Sequence, residues 1–335
     1  MRKHAIAIVG LGAACEPHAK SLLDLSDRAE VVCAASRSEA RTRAFAARFK
    51  FPVTTEIDKA ITDPAVEAVL LLTPPGAHLE LAERCFEAGK HVLVEKPLEI
   101  SSERARRLVE SARARDRRLG VVLQHRFRPG SLRLREILAT GQLGSVEAAS
   151  MAVPWWRPQS YYDEPGRGTM ARDGGGVLLT QAIHTLDLFR SFVGVSEVEA
   201  AQVTTTAAHR METEDYVSAL VRLANGAPGV VTATTAACPG GPERIEVIGA
   251  KGTAWLAGGS LRVALHDGRE ERRDAEGPTG SGANMMDFPH DAHRALIADF
   301  LDAIEEGREP SVSGEEALAT QMLIDAILVK GRAVS

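Results

Sequence analysis

His4-Ala5-Ile6-Ala7-Ile8-Val9-Gly10-Leu11-Gly12-Ala13-Ala14-Cys15 is the stretch from which the fold can be read. His4 to Val9 alternates too little for a half-exposed strand and reads as a buried parallel strand. A glycine turn follows, and then a helix through Ala19, Leu22 and Leu23. Gly10 and Gly12 permit a tight turn and the close approach of a pyrophosphate to backbone N–H groups. Ala13 and Ala14 lead into a helix N-terminus whose dipole favours an anion. Cys15 stands where the third glycine of the dinucleotide fingerprint would be, so this motif needs support from the rest of the chain. Pro17 suits a first helical turn, where its missing donor costs nothing.

The pattern repeats outward. Glu30 to Ala35 reads as a second strand, ending in Ser36-Arg37-Ser38. A carboxylate at this point would take the ribose hydroxyls of NAD. A hydroxyl and a guanidinium suit a 2′-phosphate instead, with Arg41 one turn further on, so NADP(H) is favoured and NAD(H) is the alternative. Val66 to Leu72 is a strongly apolar strand running into Thr73-Pro74-Pro75-Gly76-Ala77-His78, a rigid strand-to-helix loop on the cofactor side. Val92 to Val94 reads as a short strand, with His91 leading in and Glu95-Lys96-Pro97 at its carboxyl end, where open α/β sheets bind ligands. Lys96 is there a candidate acid/base or hydrogen-bond donor; an isolated Glu-Lys-Pro would read as a surface ion pair. Ser101 caps the next helix, and Leu119 to Gln124 closes the unit, with Gln124 assigned to the cofactor side. Strands alternating with helices predict a doubly wound parallel sheet over residues 1–124.

Residues 125–335 read differently. Strands at 146–153, 198–206, 215–223, 229–236, 244–248, 253–256 and 261–266 are joined by short turn signals such as Asn225-Gly226. They predict an α+β domain with a large, open, mainly antiparallel sheet. One helix, expected from Gly176 to Phe192, interrupts them; terminal helices are expected at 289–306 and from Gly314 to about Lys330. The interrupting helix opens on Asp173-Gly174-Gly175-Gly176, where another backbone or a ligand can come close. Thr180 and His184 share a face, and Gln181 and Asp187 are near them. His184 is a candidate acid/base; with one histidine and no nearby cysteine, no metal site is expected. The loop from Trp155 to Thr169 gathers Trp156, Tyr161, Tyr162 and Arg167, which suit a sugar or nucleotide through stacking and hydrogen bonds. Arg126 joins them as a substrate-binding candidate.

Composition narrows the function classes. The 335 residues are 44% apolar and 25% charged, with a net charge of −5, which fits neither a nucleic-acid binder nor a disordered chain. No apolar run approaches the roughly 18 residues of a membrane span, and no apolar leader precedes the glycine turn. Four scattered cysteines have no metal spacing and suit a cytoplasmic setting. Apolar residues such as Val217 and Val231, assigned to the sheet's outer face, predict a homo-oligomer, dimer or tetramer.

Together these residues resemble the glucose–fructose oxidoreductase and inositol dehydrogenase (Gfo/Idh/MocA) family. The resemblance rests on Gly10-Leu11-Gly12-Ala13, Thr73-Pro74-Pro75 with His78, Glu95-Lys96-Pro97, Gly174-Gly175-Gly176 through His184 to Asp187, and the ending Asp299-Phe300 to Gly314-Glu315-Glu316-Ala317. It implies an NAD(P)-dependent oxidoreductase acting on a sugar or polyol. It implies that Lys96 sits by the nicotinamide and the reacting oxygen, and that His184 is the acid/base. The family often has an aspartate four residues before the histidine, where this chain has Thr180, which leaves open what orients His184. Gln181-Ala182-Ile183-His184 looks closer to members acting on nucleotide-linked sugars. Of the family's Trp-Arg pair near the cofactor, only Arg167 carries over. The family also contains non-catalytic sugar sensors and NAD-dependent glycosidases, against which Lys96 with His184, and Ser36-Arg37, respectively argue.

Overall fold

A computed structural model describes residues 3–275, 277 and 289–332. The contacts divide the chain into two units, Met1–Leu123 with His290–Ala319, and Gln124–Pro289 with Thr320–Ser335. In the first unit β1 (His4–Val9), β2 (Ala29–Ala35), β3 (Val53–Thr54), β4 (Ala68–Leu71), β5 (His91–Val94) and β6 (Leu119–Val121) form one sheet in the order β3-β2-β1-β4-β5-β6. Every pairing is parallel. The connections carry α1 (Cys15–Asp24), α2 (Glu39–Phe49), α3 (Ile57–Thr62), α4 (His78–Glu87) and α5 (Ser102–Ala114). Ile6 to Val9 and Ala68 to Leu71 are wholly buried, which is why their sequences are continuous apolar runs. The strand order reverses between β1 and β4, the switch point at which such sheets bind ligands.

The second unit holds α6 (Pro129–Ala139), β7 (Val146–Pro154), α7 (Gln159–Tyr162), α8 (Met170–Asp173), α9 (Val177–Thr180) and α10 (Ile183–Val193). It continues with β8 (Val195–Thr204), β9 (Tyr216–Leu223), β10 (Pro228–Thr234), β11 (Arg244–Gly249), β12 (Gly252–Ala257), β13 (Ser260–Leu265) and β14 (Glu270–Arg273). The eight strands form one sheet in the order β14-β13-β12-β11-β7-β10-β9-β8. All pairs are antiparallel except β7 with β10. Helices α9 and α10 lie against one face of it.

Strand parity corrects the expected outer face. Val217 and Val231 are 0% exposed, whereas Leu220, Val230 and Ile248 are 52%, 39% and 41% exposed. In β9, Val217, Ala219, Val221 and Leu223 share one face and all are buried; Leu220 shares the other with Ser218 and Arg222. The apolar residues named from sequence therefore belong to the core.

The expected helix from Gly176 to Phe192 is two helices, α9 and α10, separated at Gln181-Ala182. Thr180 Oγ1 donates to the Gly176 carbonyl at 2.7 Å and to Gln181 Oε1, so local side-chain bonds compete with the helical ladder here. The last two helices are α11 (Asp291–Glu306) and α12 (Gly314–Arg332). Sequence alone assigned all of 125–335 to the second domain; the contacts return 290–319 to the first unit. The cause is α11, which packs on α1 and brings Phe300 against Gly120 of β6.

Candidate active site

In the first unit the glycine turn is shaped by two different demands. Gly10 has φ +106°, and a Cβ there would lie 2.5 Å from the Leu72 carbonyl oxygen, so the protein's own backbone requires glycine. A Cβ on Gly12 would meet nothing within 4 Å. Ala14 is the N-cap of α1, and no side chain caps that end. Backbone donors at an uncapped helix start beside a bare glycine fit the pyrophosphate of a dinucleotide. At the end of β2, Ser36 is buried and its Oγ accepts from the Ser38 N–H at 3.3 Å. Arg37 and Arg41 are exposed, and neither forms an ion pair among the described residues.

Thr73, Pro74 and Pro75 lead from β4 toward α4, with Pro75 opening a short 3-10 turn, Pro75–Ala77. His78 was expected on the cofactor side, and here the structure corrects the reading. Its ring is 0% exposed, with Nδ1 3.1 Å from the Leu98 carbonyl and Nε2 2.9 Å from the Thr73 carbonyl. Burial pushes its pKa down. The imidazole is committed to tying two loops together, so its reach to a ligand is lost. Glu95 and Lys96 follow β5 directly. The Lys96 backbone N–H donates to Glu95 Oε2 at 3.0 Å, and His18 Nε2 of α1 lies 2.8 Å from Glu95 Oε1.

In the second unit the glycine triplet serves a backbone contact. A Cβ on Gly176 would stand 2.0 Å from the Glu214 carbonyl oxygen. That carbonyl accepts from Val177 N–H at 2.9 Å, and the Glu214 carboxyl accepts from Gly176 and Leu178 N–H at 3.1 and 3.3 Å. Burial pushes the Glu214 pKa up. Gly176→Ala should therefore cost about 1–3 kcal/mol, because the clash is with backbone that cannot swing aside. A urea-unfolding midpoint read by tryptophan fluorescence measures it; a midpoint equal to wild type would show that the loop yields freely.

His184 lies in the first turn of α10, half-buried, and its ring stacks on His125 with centroids 4.8 Å apart and planes at 27°. His125 follows Gln124 in a 3-10 turn, Gln124–Phe127. The sequence reading passed from Gln124 to Arg126 and missed it; only its adjacency to both could have flagged it. Arg126 is corrected. It is buried, and its Nε and Nη2 each donate to Asp187 at 2.6 Å. Asp187 Oδ1 also accepts from Thr320 Oγ1 at 2.8 Å. This bidentate pair fixes the 3-10 turn to α10 and so holds the two stacked rings in register; it leaves Arg126 as a structural group.

The aromatic loop divides likewise. Tyr162 is buried, its hydroxyl is 2.7 Å from Thr235 Oγ1, and burial pushes its pKa up to about 12. It packs beside His209 at 4.8 Å and is a core residue, which corrects its expected substrate role. Tyr161 is half-buried. Its hydroxyl accepts from Arg167 Nη1 at 2.8 Å and from Gln181 Nε2 at 3.3 Å, and the Arg167 guanidinium also lies 4.2 Å from its ring centroid. With Thr180 donating to Gln181, four of the expected residues form one connected polar group. Trp156 is half-buried and lies 5.8 Å from the His209 ring.

Residues 4–123 match GFO_IDH_MocA, described as oxidoreductase family, NAD-binding Rossmann fold, and residues 131–255 match the GFO/IDH/MocA C-terminal domain. Inositol 2-dehydrogenase of Rhizobium meliloti (strain 1021) is 28% identical over 333 residues, 95% of this chain and 94% of that protein. 1,5-Anhydro-D-fructose reductase of Ensifer adhaerens is 30% identical over 315 residues, 91% and 90% of the two chains. Among solved structures, the WlbA dehydrogenase from Bordetella pertussis in complex with NADH and UDP-GlcNAcA superposes with a TM-score of 0.84 at 27% identity, covering 100% of this chain and 98% of that one. The glycine turn, the parallel sheet and the two matched regions agree: the chain belongs to the Gfo/Idh/MocA oxidoreductase family and is an NAD(P)-dependent dehydrogenase.

Proposed function

We propose that the protein transfers hydride between NADP(H) and a hydroxyl or keto carbon of a sugar, polyol or nucleotide-linked sugar, with NAD(H) as the lesser cofactor. The substrate class is supported by the polyhydroxylated compounds that name its relatives, inositol and anhydrofructose, and by the nucleotide-linked sugar bound to WlbA. The turn at Gly10-Gly12 and the amides of Ala13 and Ala14 receive the pyrophosphate, and Thr73, Pro74, Pro75, Gln124 and Arg167 complete the cofactor contacts. The nicotinamide, when bound, gives or accepts the hydride. His184 takes the proton of the substrate hydroxyl in oxidation and returns it in reduction. Lys96 donates a hydrogen bond to the same oxygen and stabilises its developing charge. Trp156, Tyr161, Thr180 and Gln181 present stacking and hydrogen-bonding groups to the sugar.

The observation that carries the cofactor preference is the end of β2, where two exposed arginines beside Ser36 have no carboxylate partner among the described residues. A charge-assisted hydrogen bond contributes about 1.5–3 kcal/mol, so Arg37→Ala should weaken NADPH binding about 10- to 100-fold and leave NADH binding unchanged. Fluorescence titration of both nucleotides into both proteins tests it. Equal weakening of NADH, or tighter NADH than NADPH in wild type, would remove the 2′-phosphate site. Among the described residues no helix is long and apolar enough to cross a membrane. All four cysteines are free, which favours the cytoplasm. The outward-facing Leu220, Val230 and Ile248 support a homo-oligomer.

A further inference from the structure

Glu95 uses both carboxylate oxygens inside the first unit. Oε1 meets His18 Nε2 at 2.8 Å, and Oε2 accepts the Lys96 backbone N–H at 3.0 Å. His18 is 0% exposed, and its Nδ1 has no hydrogen-bond partner. A carboxylate can only accept, so the tautomer with hydrogen on Nε2 satisfies the contact and strands no donor at Nδ1. His293 of α11 stands edge-on to His18, with centroids 5.1 Å apart and planes at 87°. One ligating atom from each of His18, Glu95 and His293 lies within 4.8 Å of the others. The set contains metal-ligating residue types, but the 2.8 Å His18–Glu95 contact is a hydrogen bond. Two atoms bound at about 2.0 Å to a tetrahedral zinc would stand about 3.3 Å apart.

We propose that His18, with His293 packed edge-on against it, is a positioning residue that holds Glu95 as the ionised counter-charge of Lys96, so that this group sets the pH at which Lys96 gives up its proton. The inference rests on the assignment of Lys96 to the reacting oxygen. Burial alone would push the Glu95 carboxyl up. The hydrogen bond from His18, and then the nearby Lys96 ammonium, hold it below the ordinary carboxylate range instead. His78 of α4 also feels Glu95, and burial pushes its pKa down. Glu95 is thus surrounded from α1, α11, α4 and its own strand end by groups that favour its negative charge or leave it unopposed. The coupling is reciprocal: a carboxylate kept ionised beside an ammonium makes that ammonium harder to deprotonate. Lys96 also inherits its backbone direction from the group, because its own N–H is held by Glu95 Oε2.

The test needs no substrate. The full chain is acetylated with trace acetic anhydride across a pH series, and modification of Lys96 is read by peptide mass spectrometry, with exposed Lys50 as the internal standard. Glu95→Gln keeps the shape and removes the charge; it should lower the pH midpoint of Lys96 modification by about one pH unit or more. His18→Ala should do the same, because Glu95 loses the bond that keeps it ionised. His18→Gln should stay near wild type, since its amide N–H can reach the same oxygen. An unmoved Lys96 midpoint in Glu95→Gln overturns the proposal, as does a His18→Gln midpoint that falls as far as that of His18→Ala. Activity of Lys96→Met is measured separately: full turnover there would sink the role given to Lys96 under the proposed function, whatever the midpoints do.

Discussion

The His184→Ala variant should lose about 10²–10⁴-fold in kcat, the usual contribution of a positioned acid/base. Its affinity for NADPH should stay within about twofold of wild type if, as proposed, the group removed acts on the substrate proton and not on the cofactor phosphates. The assay is nucleotide turnover on whichever of a panel of inositols, aldoses, ketoses and nucleotide-linked sugars the wild type converts. The imidazole is suited to the part by where it sits. It is half-buried in the first turn of α10, its face rests on His125 at 4.8 Å, and the turn carrying His125 is pinned to the same helix by Arg126 and Asp187. In the role proposed for it, the ring would need little reorganisation. The aspartate expected four residues earlier is Thr180, whose hydroxyl is spent on Gly176 and Gln181. The ring that stacks on His184 is His125. Retained turnover in His184→Ala would transfer the proton role elsewhere, and a loss of NADPH binding equal to the loss of kcat would mean the variant had damaged the fold.

Residues whose partners are near in sequence, or whose partner is a strand end, were legible. The turn at Gly10-Gly12, the strand before it and the placing of Glu95-Lys96 at the carboxyl end of β5 all follow from local pattern, since a buried parallel strand is apolar throughout. What was hidden depends on long-range contacts. Arg126 reads as a free cation until Asp187, 61 residues on, is found against it. His18 reads as one more helical residue until Glu95, 77 residues on, accepts from it. The Gly174-Gly175-Gly176 run announced a close approach without saying of what, and the answer is the backbone of Glu214. Val217 and Leu220 differ only in parity. Apolar residues occur on both faces of β9, so composition could not choose the buried one, whereas the helices α9 and α10 do. No periodicity in the sequence encodes such partnerships.

Asp187→Ala should destabilise the second unit by about 3–5 kcal/mol, the range for stripping one partner from a buried ion pair. Wild-type Asp187 accepts two bonds of 2.6 Å from Arg126 and one of 2.8 Å from Thr320, and it lies 3.9 Å from Arg190. Its side chain is 0% exposed and that of Arg126 6%, so water does not screen the pair. All three tryptophans, Trp155, Trp156 and Trp255, belong to the second unit, so urea unfolding followed by tryptophan fluorescence reports on that unit and spares the result from a separate transition of the first. The double variant Arg126→Met/Asp187→Leu should recover most of the loss, because apolar residues of similar volume replace a buried pair at little cost. An exposed pair such as Arg43–Glu39, at 3.6 Å, supplies the contrast: breaking it should cost less than about 1 kcal/mol. If Asp187→Ala costs no more than that, the Arg126 guanidinium must be hydrated in solution. Arg126 would then be accessible to a ligand, and the substrate role that its burial argues against would return.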